Sequence, residues 1–135
     1  MGALLGGISM HKGLGVVHAL SHALGSEGRA HHGTLNAILL PHALRFNRPA
    51  AESRMELLAH QLGVGRSGNG AEHLIALTEL ILARMPLPKR LGDVPGPDQA
   101  RIPQYARLAM IDHCRQTNPR PCEQADLEDL LARAW

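Results

Sequence analysis

Apolar positions recur along this chain with a period near 3.6. Leu14, Val17, Leu20, Ser21 and Leu24 share one helical face, and so do Leu35, Ile38, Leu39, His42 and Phe46. The pattern returns at Met55, Leu58, Ala59 and Leu62, then at Leu74, Leu77, Ile81 and Met85 with Leu82 widening the stripe. Ile102, Tyr105, Ala106, Ala109 and Met110 form a further face, and Leu127, Leu130, Leu131 and Ala134 the last. Leu4, Leu5 and Ile8 give a weaker stripe, interrupted by Gly2, Gly6 and Gly7, each worse than alanine in a helix by about 1 kcal/mol. That opening segment suits a crowded interior and starts with no lead-in, so a preceding segment is expected. Nowhere does the period of two of a half-buried strand occur. The pattern predicts an all-α fold, a single domain over 1–135 with about six or seven helices.

Breaks in the pattern set the expected boundaries. Gly25 is the expected left-handed residue after the second helix. Pro41 lies inside the next stripe and is expected to kink it, by removing a backbone donor and crowding the preceding turn. Asn47 and Pro49 predict a stop and a restart, and hence two helices between residues 33 and 62. Gly63 ends the second of these, and GVGRSGNG reads as a flexible loop. Lys89 to Gln99 reads as loop, and TNPRP at 117–121 as an extended connector.

Composition narrows the function classes. A chain of 135 residues buries roughly two-thirds of its unfolded surface. Phe46, Tyr105 and Trp135 are the only aromatics, so the core must be aliphatic. A net charge of +2, scattered and without stacking aromatics, argues against nucleic acid as a partner. No run of 18 apolar residues exists to span a membrane, and the N-terminus lacks the basic region of a secretory signal. Two cysteines, Cys114 and Cys122, make no disulfide framework, so a reducing cytoplasm is expected.

The candidate chemistry lies in the stretch 13–47, which holds five of the nine histidines. His18 and His22 are four apart on a helix and so share a face. His32 follows a short polar connection that can fold it back. Imidazole ligates zinc, iron, copper and nickel, so these three side chains form a candidate metal site. His42, on an apolar stripe, reads as a core histidine. His60, His73 and His113 read as helix-surface residues, His31 as a loop neighbour of His32, and His11 has no evident partner. Glu27 is the only acid between residues 1 and 51, so no carboxylate stands near the cluster in sequence.

GLGVVHALSHALG followed by HHGTLNAILLPHALRFN resembles the C-terminal domain of the iron-containing (group III) alcohol dehydrogenases. These include lactaldehyde reductases, butanol dehydrogenases and maleylacetate reductases. The shared pattern is G-x-x-H-x₃-H-x-x-G, a later H-G, then N-A-x-L-L-P-x-x-x-x-F-N, with TNPRP before the final helix. The resemblance implies that His18 and His32 are metal ligands. It implies that His22 stays free of the metal and faces the nicotinamide and substrate. A proline that often follows that free histidine is Ala23 here. The implied reaction is metal-dependent hydride transfer between an alcohol or aldehyde and NAD or NADP. Ferrous iron is the first choice of metal and zinc the second.

Two parts of the family pattern are missing. Members carry an N-terminal dinucleotide-binding domain with a glycine-rich loop, and an Asp and a His four apart that complete the metal site. Neither occurs in these residues, and GVGRSGNG follows no strand. The chain therefore reads as a fragment, inactive alone, with a separate cofactor-binding half as an expected partner and self-association expected from uncovered apolar surface. The alternative from the residues alone is a stand-alone helical metal-binding or interaction module that uses His18, His22 and His32 together.

Overall fold

The computed structural model describes residues 2–26, 28–65 and 68–135. Its order is α1 (Gly2–His11), α2 (Val16–Gly25), α3 (His32–Gln61), α4 (Gly70–Arg84), α5 (Ile102–Ile111) and α6 (Gln124–Ala134). Short 3-10 turns lie at Leu91–Asp93, Gln99–Arg101 and His113–Thr117. No strand occurs among the described residues, so the expected all-α class holds.

The expected break at Asn47–Pro49 does not occur. The helix runs on through Pro41 and Pro49 for 30 residues. Each proline removes one backbone hydrogen bond, yet packing on both sides holds the axis together. Leu35, Ile38, Leu39 and Ala43 lie in the main core. Met55 and Ala59 anchor the far half in a second cluster with Ala71, Leu74 and Ile75 of α4. Tertiary burial thus overrides the local stop signal. Left-handed backbone also falls elsewhere than expected: Gly28 has φ +71, whereas Gly25 stays helical. Gly63, with φ +68, ends α3 as the pattern predicted.

The main core joins α2, α3, α5 and α6. Val16, Ala19, Leu20 and Leu24 meet Leu35 and Ile38, Tyr105 and Ala109, and Leu127 and Leu131. In α1 the described side chains of Leu4 and Met10 are exposed. Leu5 and Ile8, on which the expected interior stripe depends, lie outside the described side chains.

Two asparagines fix the start of α2 and hence the histidines on it. Asn118 Oδ1 accepts from the Val16 backbone N–H at 3.2 Å and from Asn47 Nδ2 at 3.0 Å. Asn118 Nδ2 donates to Asn47 Oδ1 and to the Arg120 carbonyl, both at 2.7 Å. The approach is so close that a Cβ on Gly15 would stand 2.7 Å from Asn118 Oδ1. The asparagines of the F-N and T-N-P-R-P motifs therefore tie α3 and the 118–120 segment to the first turn of α2.

The α3–α4 hairpin has an electrostatic cap. Glu56 Oε1 accepts from the Ala71 backbone N–H at 2.9 Å, placing a carboxylate at the N-terminus of α4. That bond, with others from the Gly70 and Gly68 backbone, holds Glu56 below the ordinary carboxylate range. A group with a depressed folded pKa stabilises above its unfolded pKa and loses that contribution as pH falls through the folded value. Glu56→Gln should therefore melt below wild type at pH 7. The gap should close on acidification below the ordinary glutamate range, as a series of melts across pH would read.

Candidate metal centre

The three histidines predicted from spacing come together. Ring centroids are 6.1 Å apart for His18 and His22, 5.3 Å for His18 and His32, and 5.3 Å for His22 and His32. The four-residue spacing on α2 supplies the first pair. The polar connection 26–31 returns the chain so that His32 opens α3 beside them.

Their hydrogen bonds divide them two against one. Asn36 lies four residues after His32 on α3. Its Nδ2 stands 2.9 Å from His32 Nε2 and 3.4 Å from His18 Nε2. The Nε2 atoms of His18 and His32 thus face one point. His22 has a different partner: its Nδ1 lies 2.9 Å from Asp112 Oδ2. A carboxylate accepts, so Nδ1 carries the proton and Nε2 of a neutral His22 keeps its lone pair.

Asp112 answers the missing-carboxylate problem across 90 residues of sequence. It follows α5 and caps the next turn, its Oδ1 accepting from the Cys114 backbone N–H at 2.7 Å. Burial pushes its carboxyl up, but hydrogen bonds from His22 and Cys114 outweigh this and leave it below the ordinary range. Cys114 is buried, and burial together with the neighbouring carboxylate pushes its thiol up to about 11, so it stays protonated. His22, Asp112 and Cys114 also bring N, O and S atoms within 4.8 Å of one another. Each is already engaged in that network.

His18 is half-buried, and burial, then the neighbouring His32 and His22, lower its pKa, which favours the neutral imidazole a metal needs. Of the other histidines, His113 adjoins the His22 network, its Nδ1 3.8 Å from Asp112 Oδ1. His42 is half-buried on α3, with its pKa lowered by burial and then by Arg45, as suits a core-edge histidine. His60, His73 and His113 are exposed, as their positions predicted. The cluster separates two concavities. One of about 650 Å³ is lined by His18, Asn36, Leu40, Asn47 and Asn118. The other, of about 420 Å³, is lined by His22, Leu108, Ile111 and Asp112.

Whether the residues suit a metal is tested by the Asn36 amide. It donates toward two imidazole nitrogens at once, while its own Oδ1 is buried with no hydrogen-bond partner. Two nitrogen lone pairs aimed at one polar position match the donor set of a divalent ion of the iron–zinc type. Sequence reasoning missed Asn36, whose signal was its i, i+4 relation to His32. It also missed Asp112, for which no local signal exists.

The helical arrangement matches about a third of each of several solved oxidoreductase structures. A 1,3-propanediol oxidoreductase structure superposes with TM-score 0.84 at 30% identity, covering 90% of this chain and 33% of the other. A maleylacetate reductase from Agrobacterium tumefaciens superposes with TM-score 0.64 at 30% identity, covering 91% and 32%. The model of the Fe-containing alcohol dehydrogenase family, C-terminal part, matches residues 1–135, and the chain belongs to that family. Lactaldehyde reductase of Escherichia coli strain K12 is 35% identical over 127 residues, which span 91% of this chain and 33% of the relative. The 4-hydroxybutyrate dehydrogenase of Cupriavidus necator is 34% identical, covering 98% and 36%. The chain spans about a third of the length of the curated relatives it matches. No helix among the described residues is long and apolar enough to cross a membrane.

Proposed function

We propose that these residues form the metal-holding helical part of an iron-containing alcohol dehydrogenase. The dinucleotide-binding domain and the remaining two ligands are then supplied from outside residues 1–135. The observation that carries the reading is the convergence of His18 Nε2 and His32 Nε2 on one position. When bound there, a divalent ion, ferrous iron before zinc, supplies Lewis acidity to an alcohol or carbonyl oxygen during hydride exchange with NAD or NADP. His18 and His32 hold the ion as neutral imidazoles. His22 remains off the ion, fixed by Asp112 with its proton on Nδ1, and its Nε2 takes or returns the hydroxyl proton.

Two ligands without a cofactor-binding domain make no complete catalyst. The 135-residue protein should show no turnover of simple alcohols with NAD or NADP and added ferrous or zinc ion, and gain it when a cofactor-binding half is supplied. Robust turnover by the chain alone would overturn the split. The three-histidine alternative finds less support, because the Asn36 amide nitrogen faces Nε2 of His18 and of His32, and this pairing does not include His22.

A further inference from the structure

Ser21 stands between the two proposed ligands. It lies on α2, fully buried, where water cannot compete for its hydroxyl. Its Oγ lies 3.1 Å from the His18 carbonyl and 3.3 Å from His32 Nδ1. A serine hydroxyl has one hydrogen, and a carbonyl oxygen can only accept. The hydrogen therefore goes to the His18 carbonyl, and toward His32 the same oxygen acts as acceptor. His32 Nδ1 must then carry the proton. A neutral imidazole has one N–H, so Nε2 keeps its lone pair.

The far side of the ring reaches the same answer independently. Asn36 Nδ2, an obligate donor, lies 2.9 Å from His32 Nε2. That amide keeps this orientation although its Oδ1 gains no partner, which makes sense if the two Nε2 atoms are acceptors. Were Nε2 of His32 protonated, it would meet the Asn36 amide hydrogens head-on, and Nδ1 would face a hydroxyl whose proton is already given away.

We propose that Ser21 is a positioning residue for the metal ligand His32: it holds the imidazole in the Nδ1–H tautomer and aims the Nε2 lone pair at the position shared with His18. The inference rests on the reading of His18 and His32 as ligands. A hydrogen bond to the non-ligating nitrogen fixes tautomer and ring orientation and raises ligand basicity, and losing such a partner typically costs about 10–100-fold in metal affinity. Alanine at this position keeps nearly the same volume and is a better helix former than serine, so the fold is retained.

The test uses the 135-residue protein and zinc ion as probe. Long-range proton–nitrogen NMR of the metal-free wild type at pH 8 should show His32 protonated on Nδ1. In Ser21→Ala the tautomer should shift toward a mixture. Zinc titration followed at His18 and His32 should weaken about 10-fold or more. A wild-type His32 protonated on Nε2 overturns the proposal without any variant. So does a Ser21→Ala protein that binds zinc as wild type does while His18→Ala and His32→Ala do not. Zinc binding that survives both histidine replacements would instead remove the metal centre on which the proposal rests.

Discussion

Tyr105→Ala should lower the unfolding free energy by about 3–5 kcal/mol, the largest loss expected from any single truncation in this chain. Tyr105 is fully buried and is the bulkiest of the fully buried side chains. It fills the space between α5 and the other core helices, which otherwise contribute Leu, Ala, Val and Ile. Its hydroxyl also accepts the Asp98 backbone N–H at 3.2 Å, and the Arg101 guanidinium stands 5.4 Å above the ring centroid. Tyr105→Phe removes only the hydroxyl and should cost about 1 kcal/mol. Urea unfolding of the two variants beside wild type separates cavity from hydrogen bond. An alanine variant within 1 kcal/mol of wild type would show that the α5 packing does not bear this weight. The loss would also reach the site, because Asp112 follows the end of α5.

What the amino-acid pattern shows, and what it hides, follows from the range of each interaction. The stripes on α2, α5 and α6 are local, since each helix must turn its own apolar residues inward; on α4 the buried face is Ala71, Leu74 and Ile75, while Ile81 and Met85 of the expected stripe are exposed. The first three are legible without any knowledge of the fold. The continuity of α3 is not, because proline propensity is local while the packing that overrides it comes from α2, α4 and α6. The site divides in the same way. His18 and His22 are legible because one helical turn joins them, and His32 because a short connection returns it. Asn36 is legible in retrospect by the same one-turn rule. Asp112 and Asn118 are invisible to local reasoning: they join α2 through contacts 90 and 102 residues long.

His22→Ala should separate the two roles within the histidine cluster. In the assembled enzyme, with the cofactor-binding half present, turnover should fall about 10²–10⁴-fold, the usual contribution of a positioned acid–base group. Metal content should stay at the wild-type level, because the position faced by two Nε2 atoms, marked by the Asn36 amide nitrogen, belongs to His18 and His32. His18→Ala should do the reverse at the first step, losing the metal and, with it, activity. Asp112→Asn should fall between wild type and His22→Ala. An amide can present its nitrogen as readily as its oxygen to the ring, so the tautomer is no longer enforced, while the imidazole itself remains. Asp112→Glu keeps the charge but lengthens the side chain, and should recover part of the rate if orientation is what the carboxylate supplies. Measuring kcat, KM and metal stoichiometry across these variants distinguishes a proton-handling His22 from a third metal ligand. If His22→Ala lost metal as completely as His18→Ala, the division of the cluster into two ligands and one free base would be wrong, and the three-histidine site would take its place.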